Sequence, residues 1–243
     1  MQFHTYGLLD DVQRTHWWFV SRRRILGAML DASRPGRRDL RTLDIGCGTG
    51  VNLEYLGRYG KVVGLDSSHE AVVRCRANGL PGVLMGDIFQ LPFPPGSFDL
   101  VVAMDVIEHV DDDVAALREI LRILKPGGLA YITVPAFMFL WSVQDDVSEH
   151  RRRYRLPGLK RAVDAAGLRI GRITYMNTFM FPVILFLRWA IKLLRIRIDS
   201  ENRIRPGIAN RPLAAIFSAE AKILPKVNLP FGVSILCLAE KPA

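Results

Sequence analysis

The sequence LDIGCGTG, residues 43–50, decides the fold, because an apolar run passes directly into a glycine-rich turn. Glycines let the backbone bend sharply there and let a ligand approach without interference from a Cβ atom. The spacing is GxGxG, and Val51 stands where the dinucleotide-binding pattern GxGxxG has its third glycine. The acid inside the run, Asp44, suits a cationic ligand and would repel a pyrophosphate. The segment therefore predicts the first strand of an α/β sheet that binds a positively charged nucleotide-like molecule.

Apolar runs separated by helical patterns continue on both sides of this segment. The first five predicted strands are residues 42–46, 61–66, 82–87, 98–105 and 129–135, and two later ones are 168–177 and 232–241. The clearest predicted helices are 112–124, ended by the KPGG sequence, and 157–166, ended by Gly167. This alternation is typical of repeated βαβ units. It predicts a doubly wound, Rossmann-like, seven-stranded and mainly parallel sheet.

The remaining segments predict additions to a single domain that spans residues 1–243. Residues 1–39 form a helical lead-in, residues 40–135 the core that binds the cofactor, and residues 136–243 a substrate-side segment. The stretch of about 178–230 is too long for a hairpin connection and too patterned for a bare loop. We expect it to be a helical insertion.

Acids mark the carboxyl ends of the predicted strands, which is the edge where open α/β sheets bind ligands. These acids are Asp44, Asp66, Asp87 and Asp105. Asp66 lies 20 residues beyond Gly46, where a carboxylate can accept hydrogen bonds from ribose hydroxyls. Asp87, with Ile88 behind it, suits an adenine amino group and an apolar wall.

Together these motifs resemble those of class I S-adenosylmethionine-dependent methyltransferases, over about residues 40–135. The matching segments are 43–50, Asp66, Asp87, 98–110 and 124–128. The resemblance implies that the glycine loop wraps the methionine part of S-adenosylmethionine and that Asp66 and Asp87 hold its ribose and adenine. It also implies that Asp105 faces both cofactor and substrate, and that S-adenosylhomocysteine is the product. The flanks HWWFVSRRRIL (16–26) and SEHRRRY (148–154) resemble a bacterial subgroup often found in glycan, lipid or secondary-metabolite pathways.

The candidate site residues follow from these placements. The cofactor-binding candidates are Asp44, Gly46, Cys47, Gly48, Gly50, Asp66, Ser67, Asp87, Ile88, Met104, Asp105, His109, Trp18 and Arg23. The candidate catalytic residues are His150, His109 and Asp105. His150 is the best candidate for a general base, because a neutral imidazole accepts protons near physiological pH. No metal is expected, since a sulfonium is already a good leaving group and the enzyme mainly aligns the reactants.

Several of these residues could instead have a purely structural role. His150 could belong to a solvated basic loop, and His109 could pack beneath strand four. Cys47 is predicted to be a small loop residue and not a nucleophile, because no nearby His or Lys lowers its pKa. The aromatic residues 17–19 form either core packing or a lid that shields the sulfonium. Among Arg22–Arg24 we expect one carboxylate-binding arginine and two solvated ones.

The basic charge of the chain lies in its C-terminal part. Residues 1–150 hold 15 Lys and Arg against 19 Asp and Glu, whereas residues 151–243 hold 18 against 5. With the apolar run 179–187, this charge predicts either an amphipathic surface for an anionic membrane or lipid-like substrate, or a helical cover with a solvated basic face. Nucleic acid is disfavoured, because no recognition motif accompanies the charge.

Further features concern the location of the protein. Three scattered cysteines suggest neither a disulfide framework nor a zinc site. No signal peptide or membrane span is evident, so we expect a cytoplasmic protein. Peripheral contact with the inner face of the membrane is the alternative to a helical cover with a solvated basic face.

The predicted function is methyl transfer from S-adenosylmethionine to a small molecule that is lipid-like, glycan-linked or a secondary metabolite. One alternative is a nicotinamide-dependent oxidoreductase, which the same sheet could serve but which Val51 disfavours. The other is a non-catalytic scaffold that binds S-adenosylmethionine at a membrane surface.

Overall fold

Seven strands form one sheet in the computed structural model, which describes residues 5–194, 196, 200–201 and 207–243. The strands are β1 (Leu40–Ile45), β2 (Gly60–Asp66), β3 (Val83–Met85), β4 (Phe98–Met104), β5 (Leu124–Pro135), β6 (Arg169–Met176) and β7 (Ser234–Glu240). Their order is β3-β2-β1-β4-β5-β7-β6. Only β7 runs antiparallel to its neighbours, β5 and β6. The doubly wound, mainly parallel sheet is confirmed.

Helices precede, connect and follow these strands. Their bounds are α1 (Thr5–Thr15), α2 (Trp17–Ser33), α3 (Val51–Leu56), α4 (His69–Ala77), α5 (Asp113–Ile123), α6 (Val143–Val147), α7 (Leu156–Ala165), α8 (Phe181–Leu193) and α9 (Asn210–Ala219). The predicted lead-in corresponds to α1 and α2. The described part of the predicted insertion contains α8 and α9. The division of the chain into lead-in, core and substrate-side segment stays a prediction.

The sheet is covered on both faces, as its sequence pattern requires. Successive residues of a strand point to opposite faces, and in β4 the side chains of Val101 and Ala103 join one hydrophobic cluster with α5 and α7. Leu100 and Val102 join the other cluster, with α2 and α9. Because each strand is buried on both sides, its sequence reads as a nearly continuous apolar run.

Two strand boundaries differ from the sequence prediction. β5 begins at Leu124, not at residue 129, because Leu124 already pairs with Phe98 and the KPGG segment continues the strand after a register shift. β3 ends at Met85, so Asp87 lies in the loop after the strand. The Asp87 carboxylate accepts a hydrogen bond from the Phe89 backbone N–H at 2.9 Å, which turns the chain away from the sheet.

Candidate functional site

One large cavity opens where β1, β2 and β4 end. Its volume is about 1420 Å³. The glycine loop and the ends of the strands line one part of it, and residues of α2 and α8 line others. The lining contains every predicted cofactor residue except Asp44 and Gly50, which lie just behind the wall. The strand ends and the lead-in thus enclose a common cleft.

The glycine loop bends in a way that L side chains resist. Gly46 has a φ of 69° and Gly48 a φ of 55°. A Cβ atom on Gly46 would lie 2.7 Å from Val106 Cγ2, whereas one on Gly48 would meet nothing nearer than Gln13 Nε2 at 3.9 Å. Gly46 therefore packs against protein, while the space beside Gly48 is open for a ligand.

Asp66 braces this loop from the end of β2. One carboxylate oxygen accepts the Gly48 N–H at 2.8 Å, and the other accepts the Ser68 N–H at 2.9 Å. Each carboxylate oxygen has capacity for a further hydrogen bond. Asp66 can thus hold the loop and still accept a hydroxyl from the cleft.

Asp44 lies within β1 and is almost completely buried, at 1% exposure. Its Oδ2 atom has no hydrogen-bond partner among the described residues. Burial, followed by repulsion from Asp66 and Cys75, raises the pKa of Asp44 to about 8. A buried acceptor without a partner is costly, and a cationic group nearby would favour its ionised form.

The predicted adenine side of the cleft is formed by the loop after β3. Asp87 and Ser67 are exposed and line the cavity, and Ile88 lines it from a buried position. Met104 also lines it, and its sulfur accepts a weak contact from Asn52 Nδ2 at 3.9 Å. This part of the cavity therefore has a polar wall formed by Asp87 and Ser67 and an apolar wall formed by Ile88 and Met104.

Asp105 follows β4 in a left-handed conformation, with a φ of 57°. Its carboxylate accepts hydrogen bonds from the Arg22 guanidinium and, at 3.0 Å, from the Thr133 hydroxyl. Arg22 is buried, whereas Arg23 is half-buried in the cavity wall and Arg24 is exposed. The expectation of two solvated arginines is therefore wrong. Arg22 binds a protein carboxylate, and Arg23 remains the candidate for the cofactor.

The aromatic residues of α2 pack against α9 and also line the cavity, and the shielding of a sulfonium stays a prediction. Trp17 and Trp18 contact the Phe217 ring of α9, with centroid distances of 6.0 and 5.6 Å. Both also line the cavity. The helix before them contributes Gln13, whose side-chain oxygen accepts the Thr49 hydroxyl at 2.8 Å. The lead-in thus packs on the sheet and reaches the glycine loop.

Cys47 and Cys75 form a buried thiol pair behind the loop. Cys75 Sγ lies 3.2 Å from the Gly48 carbonyl. The contact with Cys75, followed by burial, raises the pKa of the Cys47 thiol above its ordinary range. A protonated, buried thiol is a poor nucleophile, which agrees with the structural role predicted for Cys47.

His150 lies on the opposite side of the cavity, where a buried acid holds its ring. Its Nδ1 is 2.8 Å from Asp145 Oδ1. Arg153 donates to both oxygens of the same carboxylate, each at 2.8 Å. Burial acts against it, but the hydrogen bonds from His150 and Arg153 keep the pKa of Asp145 below its ordinary value. This pairing leaves the Nε2 atom of His150 facing away from Asp145.

Glu108 and His109 stand beside that Nε2 atom. Glu108 Oε1 is 3.8 Å from it, and the rings of His109 and His150 meet edge to face at 4.8 Å. Burial, followed by repulsion from Asp105, raises the pKa of Glu108 well above its ordinary value. Burial and then the neighbouring His150 lower the pKa of His109. His109 lines the cavity, so it faces the cleft from a half-buried position.

Several residues at this site were not predicted from the sequence. They are Gln13, Arg22, Glu108, Thr133, Asp145 and Arg153. The only local signal was Ser142 three residues before Asp145, a capping box at the start of α6. That pattern predicts a helix start but not the ion pair with Arg153, which joins separate segments.

Comparison with known proteins agrees with this geometry. Residues 43–132 match the family model described as a methyltransferase domain. A probable S-adenosylmethionine-dependent methyltransferase of Mycolicibacterium smegmatis is 30% identical over 160 residues, which cover 64% of this chain. The chain spans 60% of the length of that relative and 31% to 39% of two other curated relatives.

Solved structures share the fold along most of the chain. An S-adenosylmethionine-dependent methyltransferase from Mesorhizobium loti has a TM-score of 0.57 at 20% identity, covering 87% of this chain and 95% of its own. The [4+2]-cyclase SpnF has a TM-score of 0.62 at 24% identity, covering 98% and 93%. A cyclase among these structures shows that the fold alone does not specify the reaction. Residues 43–132 thus resemble a methyltransferase domain, and the chain has the fold of solved S-adenosylmethionine-dependent methyltransferases, whose cofactor is S-adenosylmethionine.

Proposed function

We propose that this protein transfers a methyl group from S-adenosylmethionine to a small amphiphilic acceptor. The observation that carries the proposal is the cleft itself. The open glycine loop and the Asp66 carboxylate border it, and Asp44, a buried acid with an unpartnered oxygen, precedes that loop in β1. When bound, S-adenosylmethionine supplies a methyl group activated by its sulfonium.

The residues around the cleft fit that cofactor. The space beside Gly48 admits a ligand close to the backbone, and Asp44 offers a negative partner to an amino group. Asp66 accepts ribose hydroxyls while it stays bonded to the loop, and Asp87 with Ile88 faces the adenine. Trp18 and Gln13 on the lead-in restrict the entry of water, which methyl transfer requires.

His150 is the residue best placed to take the proton of an acceptor. Asp145 accepts the Nδ1–H of the ring, which fixes its orientation and leaves Nε2 as the basic atom. The ring lines the cavity together with Asp105 and His109. In this proposal Asp105 and Arg22 shape the boundary between the cofactor side and the acceptor side.

The apolar character of the acceptor follows from α8. Its residues Ile184, Leu187 and Ile191 line the cavity. On the outer side, Phe186 and Trp189 are 69% and 68% exposed. Among the described residues no helix is long and apolar enough to cross a membrane. We therefore propose that α8 rests on an anionic membrane surface and delivers a lipid-like acceptor to the cleft.

Part of the predicted basic surface is not available for this contact. Arg188 is paired with Glu201 at 2.7 Å and also donates to the Leu140 carbonyl at 2.6 Å. Lys192 is exposed on α8. Arg195 and Arg197, which complete the predicted surface, lie outside the described residues. The described charge on α8 is thus smaller than the sequence suggested.

Calorimetry with S-adenosylhomocysteine and S-adenosylmethionine tests the proposed function. We expect both to bind with one site per chain, and Asp66→Ala to weaken binding at least about tenfold, which corresponds to about 1.4 kcal/mol. Glu54→Ala, at an exposed ion pair on α3, is the matched control and should bind normally. Failure of both molecules to bind the wild-type protein would exclude the proposal.

The two alternatives predict different results. A nicotinamide-dependent oxidoreductase should bind NAD(H) in the same calorimeter, although the open space at Gly48 is followed by Val51 instead of a glycine. A non-catalytic scaffold should bind S-adenosylmethionine but should produce no S-adenosylhomocysteine when extracted lipids or small molecules are offered as acceptors. The enzyme should transfer the radiolabelled methyl group of S-adenosylmethionine to a compound in such an extract, and His150→Gln should abolish this transfer.

A further inference from the structure

Two buried glutamates of this chain differ sharply in their surroundings. Glu220 and Glu108 both have 0% exposure. The Glu220 carboxylate accepts three backbone N–H groups, those of residues 177, 178 and 179. Neither oxygen of Glu108 has a hydrogen-bond partner among the described residues. A buried carboxylate without partners is costly, so Glu108 requires an explanation that Glu220 does not.

The nearby cations do not supply that partner. Arg22 is hydrogen-bonded to Asp105, and Arg153 forms its two-pronged bond with Asp145. Protonation removes the charge of Glu108 but leaves its hydroxyl without an acceptor, because the nearest candidate atom, His150 Nε2, is 3.8 Å away. Arg22 and Arg153 attract the Glu108 carboxylate from a distance, but neither donates a hydrogen bond to its oxygens.

The geometry around Glu108 matches the ligand set of a metal ion. We propose that Glu108, His109 and His150 bind one divalent transition-metal ion at the acceptor side of the cleft. One carboxylate oxygen and one ring nitrogen from each histidine lie within 4.8 Å of one another. Two histidines and one carboxylate are a ligand set that binds Zn²⁺ or Fe²⁺ and leaves coordination positions open.

The groups behind both histidines support the same assignment. Metal-binding histidines usually donate their second ring N–H to a carboxylate or a carbonyl. Asp145 accepts from His150 Nδ1 at 2.8 Å, and the backbone of Glu149 accepts a hydrogen bond from the His109 ring. Each imidazole therefore has one nitrogen fixed by the protein and one directed to the cluster.

Binding would require a modest contraction of the cluster. Ligand atoms about 2.05 Å from a tetrahedral ion are roughly 3.3 Å apart, which is shorter than the 4.8 Å spread. His109 and His150 line the open cavity, and their contacts with Glu149 and Asp145 would have to shift with the rings as these approach Glu108. This site replaces the expectation that no metal takes part.

The site also deepens the proposed function, on which this step rests, by favouring an oxygen acceptor. A bound ion lowers the pKa of a hydroxyl that reaches its open position. The hydroxyl proton then passes to solvent, an oxygen lone pair forms the new bond to the methyl carbon, and the bond from that carbon to sulfur breaks with its electron pair left on sulfur. In the metal-loaded protein His150 would act as a ligand and would not itself take the proton of the acceptor.

Titration of the metal-free protein with Co²⁺ tests the site without any substrate. We expect about one Co²⁺ per chain, with visible absorption bands that Zn²⁺ abolishes by competition. Glu108→Gln, His109→Gln and His150→Gln should each weaken Co²⁺ binding by more than about tenfold, since even second-layer substitutions cost 10 to 100-fold. His69→Gln, at an exposed histidine on α4, is the matched control and should change nothing.

The outcomes separate this inference from the proposed function. Absence of Co²⁺ binding to the wild-type protein, or binding that all three variants retain, overturns the metal site. Calorimetry with S-adenosylhomocysteine on Glu108→Gln and His150→Gln reports folding and the cofactor cleft independently; His109→Gln is left out of this control because His109 is itself a cofactor-binding candidate. If the wild-type protein binds Co²⁺ but not S-adenosylhomocysteine, the proposed function is refuted and the metal site stands. If it binds S-adenosylhomocysteine but not Co²⁺, the metal site is refuted and the proposed function stands.

Discussion

At the scale of single residues, we expect Asp44 to make cofactor binding depend on pH. Burial raises its pKa to about 8, so in the free protein it is protonated at neutral pH. A cationic amino group beside it favours the ionised form, and binding must then release the proton. We expect the affinity for S-adenosylhomocysteine to rise by up to about tenfold per pH unit between pH 6 and 7.5.

Calorimetry in buffers of different ionisation enthalpy measures this release directly. Asp44→Asn keeps the shape of the side chain but cannot ionise, so its affinity should stay level across the same pH range. The range ends at pH 7.5 because the wild-type slope must level off as the pH approaches the pKa of Asp44, about 8. Equal slopes for the wild type and Asp44→Asn would show that Asp44 does not face the amino group.

Gly48 offers a second prediction at this scale, with a matched control in the same chain. Gly48 and Gly79 both have positive φ angles, 55° and 78°, and a Cβ atom would clash at neither position. Alanine at either site should cost about 1 kcal/mol of unfolding free energy from backbone strain. Only Gly48 borders the cleft.

We therefore expect Gly48→Ala to weaken S-adenosylhomocysteine binding at least about tenfold, whereas Gly79→Ala binds normally. Urea unfolding and calorimetry on both variants provide the two readouts. A loss of affinity shared by both variants would mean that strain, and not occupation of the cleft, is responsible.

At the scale of secondary-structure elements, Glu220 joins the turn after β6 to the segment that follows α9. Its carboxylate accepts the N–H groups of residues 177, 178 and 179, where the chain leaves the sheet and enters α8. Glu220→Ala leaves three buried donors unpaired. Because each such donor costs about 1–3 kcal/mol, we expect a loss of roughly 3–5 kcal/mol of unfolding free energy.

Glu54→Ala is again a useful control, because its ion pair with Arg14 is exposed and should contribute less than about 1 kcal/mol. Chemical denaturation of both variants measures the difference. Similar losses would show that solvent reaches the turn and satisfies its donors. The result matters for function, because this turn sets the position of α8 on the cavity.

The elements also show which predictions a sequence can support. Strands β1, β2 and β4 were located within two residues, because buried parallel strands read as unbroken apolar runs between turn signals. The KPGG segment ends the helix as predicted, but the start of β5 was placed five residues late, because Leu124 pairs with Phe98 before the register with β4 shifts. A local signal cannot reveal a partner strand that lies elsewhere in the chain.

The same limit applied to the site. Asp66 and Gly48 could be placed because they lie at fixed positions after predicted strands. The ion pair between Arg22 and Asp105 joins segments 83 residues apart. Glu108 is notable because neither of its carboxylate oxygens has a hydrogen-bond partner among the described residues. Pairing and burial of this kind depend on the packed structure and leave no pattern in the sequence.

At the scale of the whole molecule, charge and apolar surface lie in the same C-terminal part. Residues 151–243 carry 18 basic residues against 5 acidic ones, and α8 exposes Phe186, Trp189 and Leu193 at helical spacing. We expect the protein to sediment with vesicles of phosphatidylglycerol and phosphatidylcholine, and less with phosphatidylcholine alone. Binding should fall as salt rises from about 50 mM to about 500 mM, because the Debye length shortens.

A variant with both Phe186→Ser and Trp189→Ser should lose at least about tenfold in vesicle affinity, since each large apolar side chain contributes roughly 1.5–3 kcal/mol when fully buried. Val73→Ser, at an exposed apolar position on α4, is the control. If the wild type remains in the supernatant with every vesicle composition, the acceptor does not reach the protein from a membrane through α8.

If the proposed function holds, two tasks fall to different parts of the chain. The segments around β1 to β4 would bind the donor, whereas α8, which lies between β6 and β7 and lines the same cavity, would bind the acceptor. A graft that exchanges the stretch between β6 and β7 with the corresponding stretch of a relative should give a chimera with a new acceptor preference and an unchanged affinity for the donor. Acceptor preference is then free to diversify while the donor machinery is inherited intact.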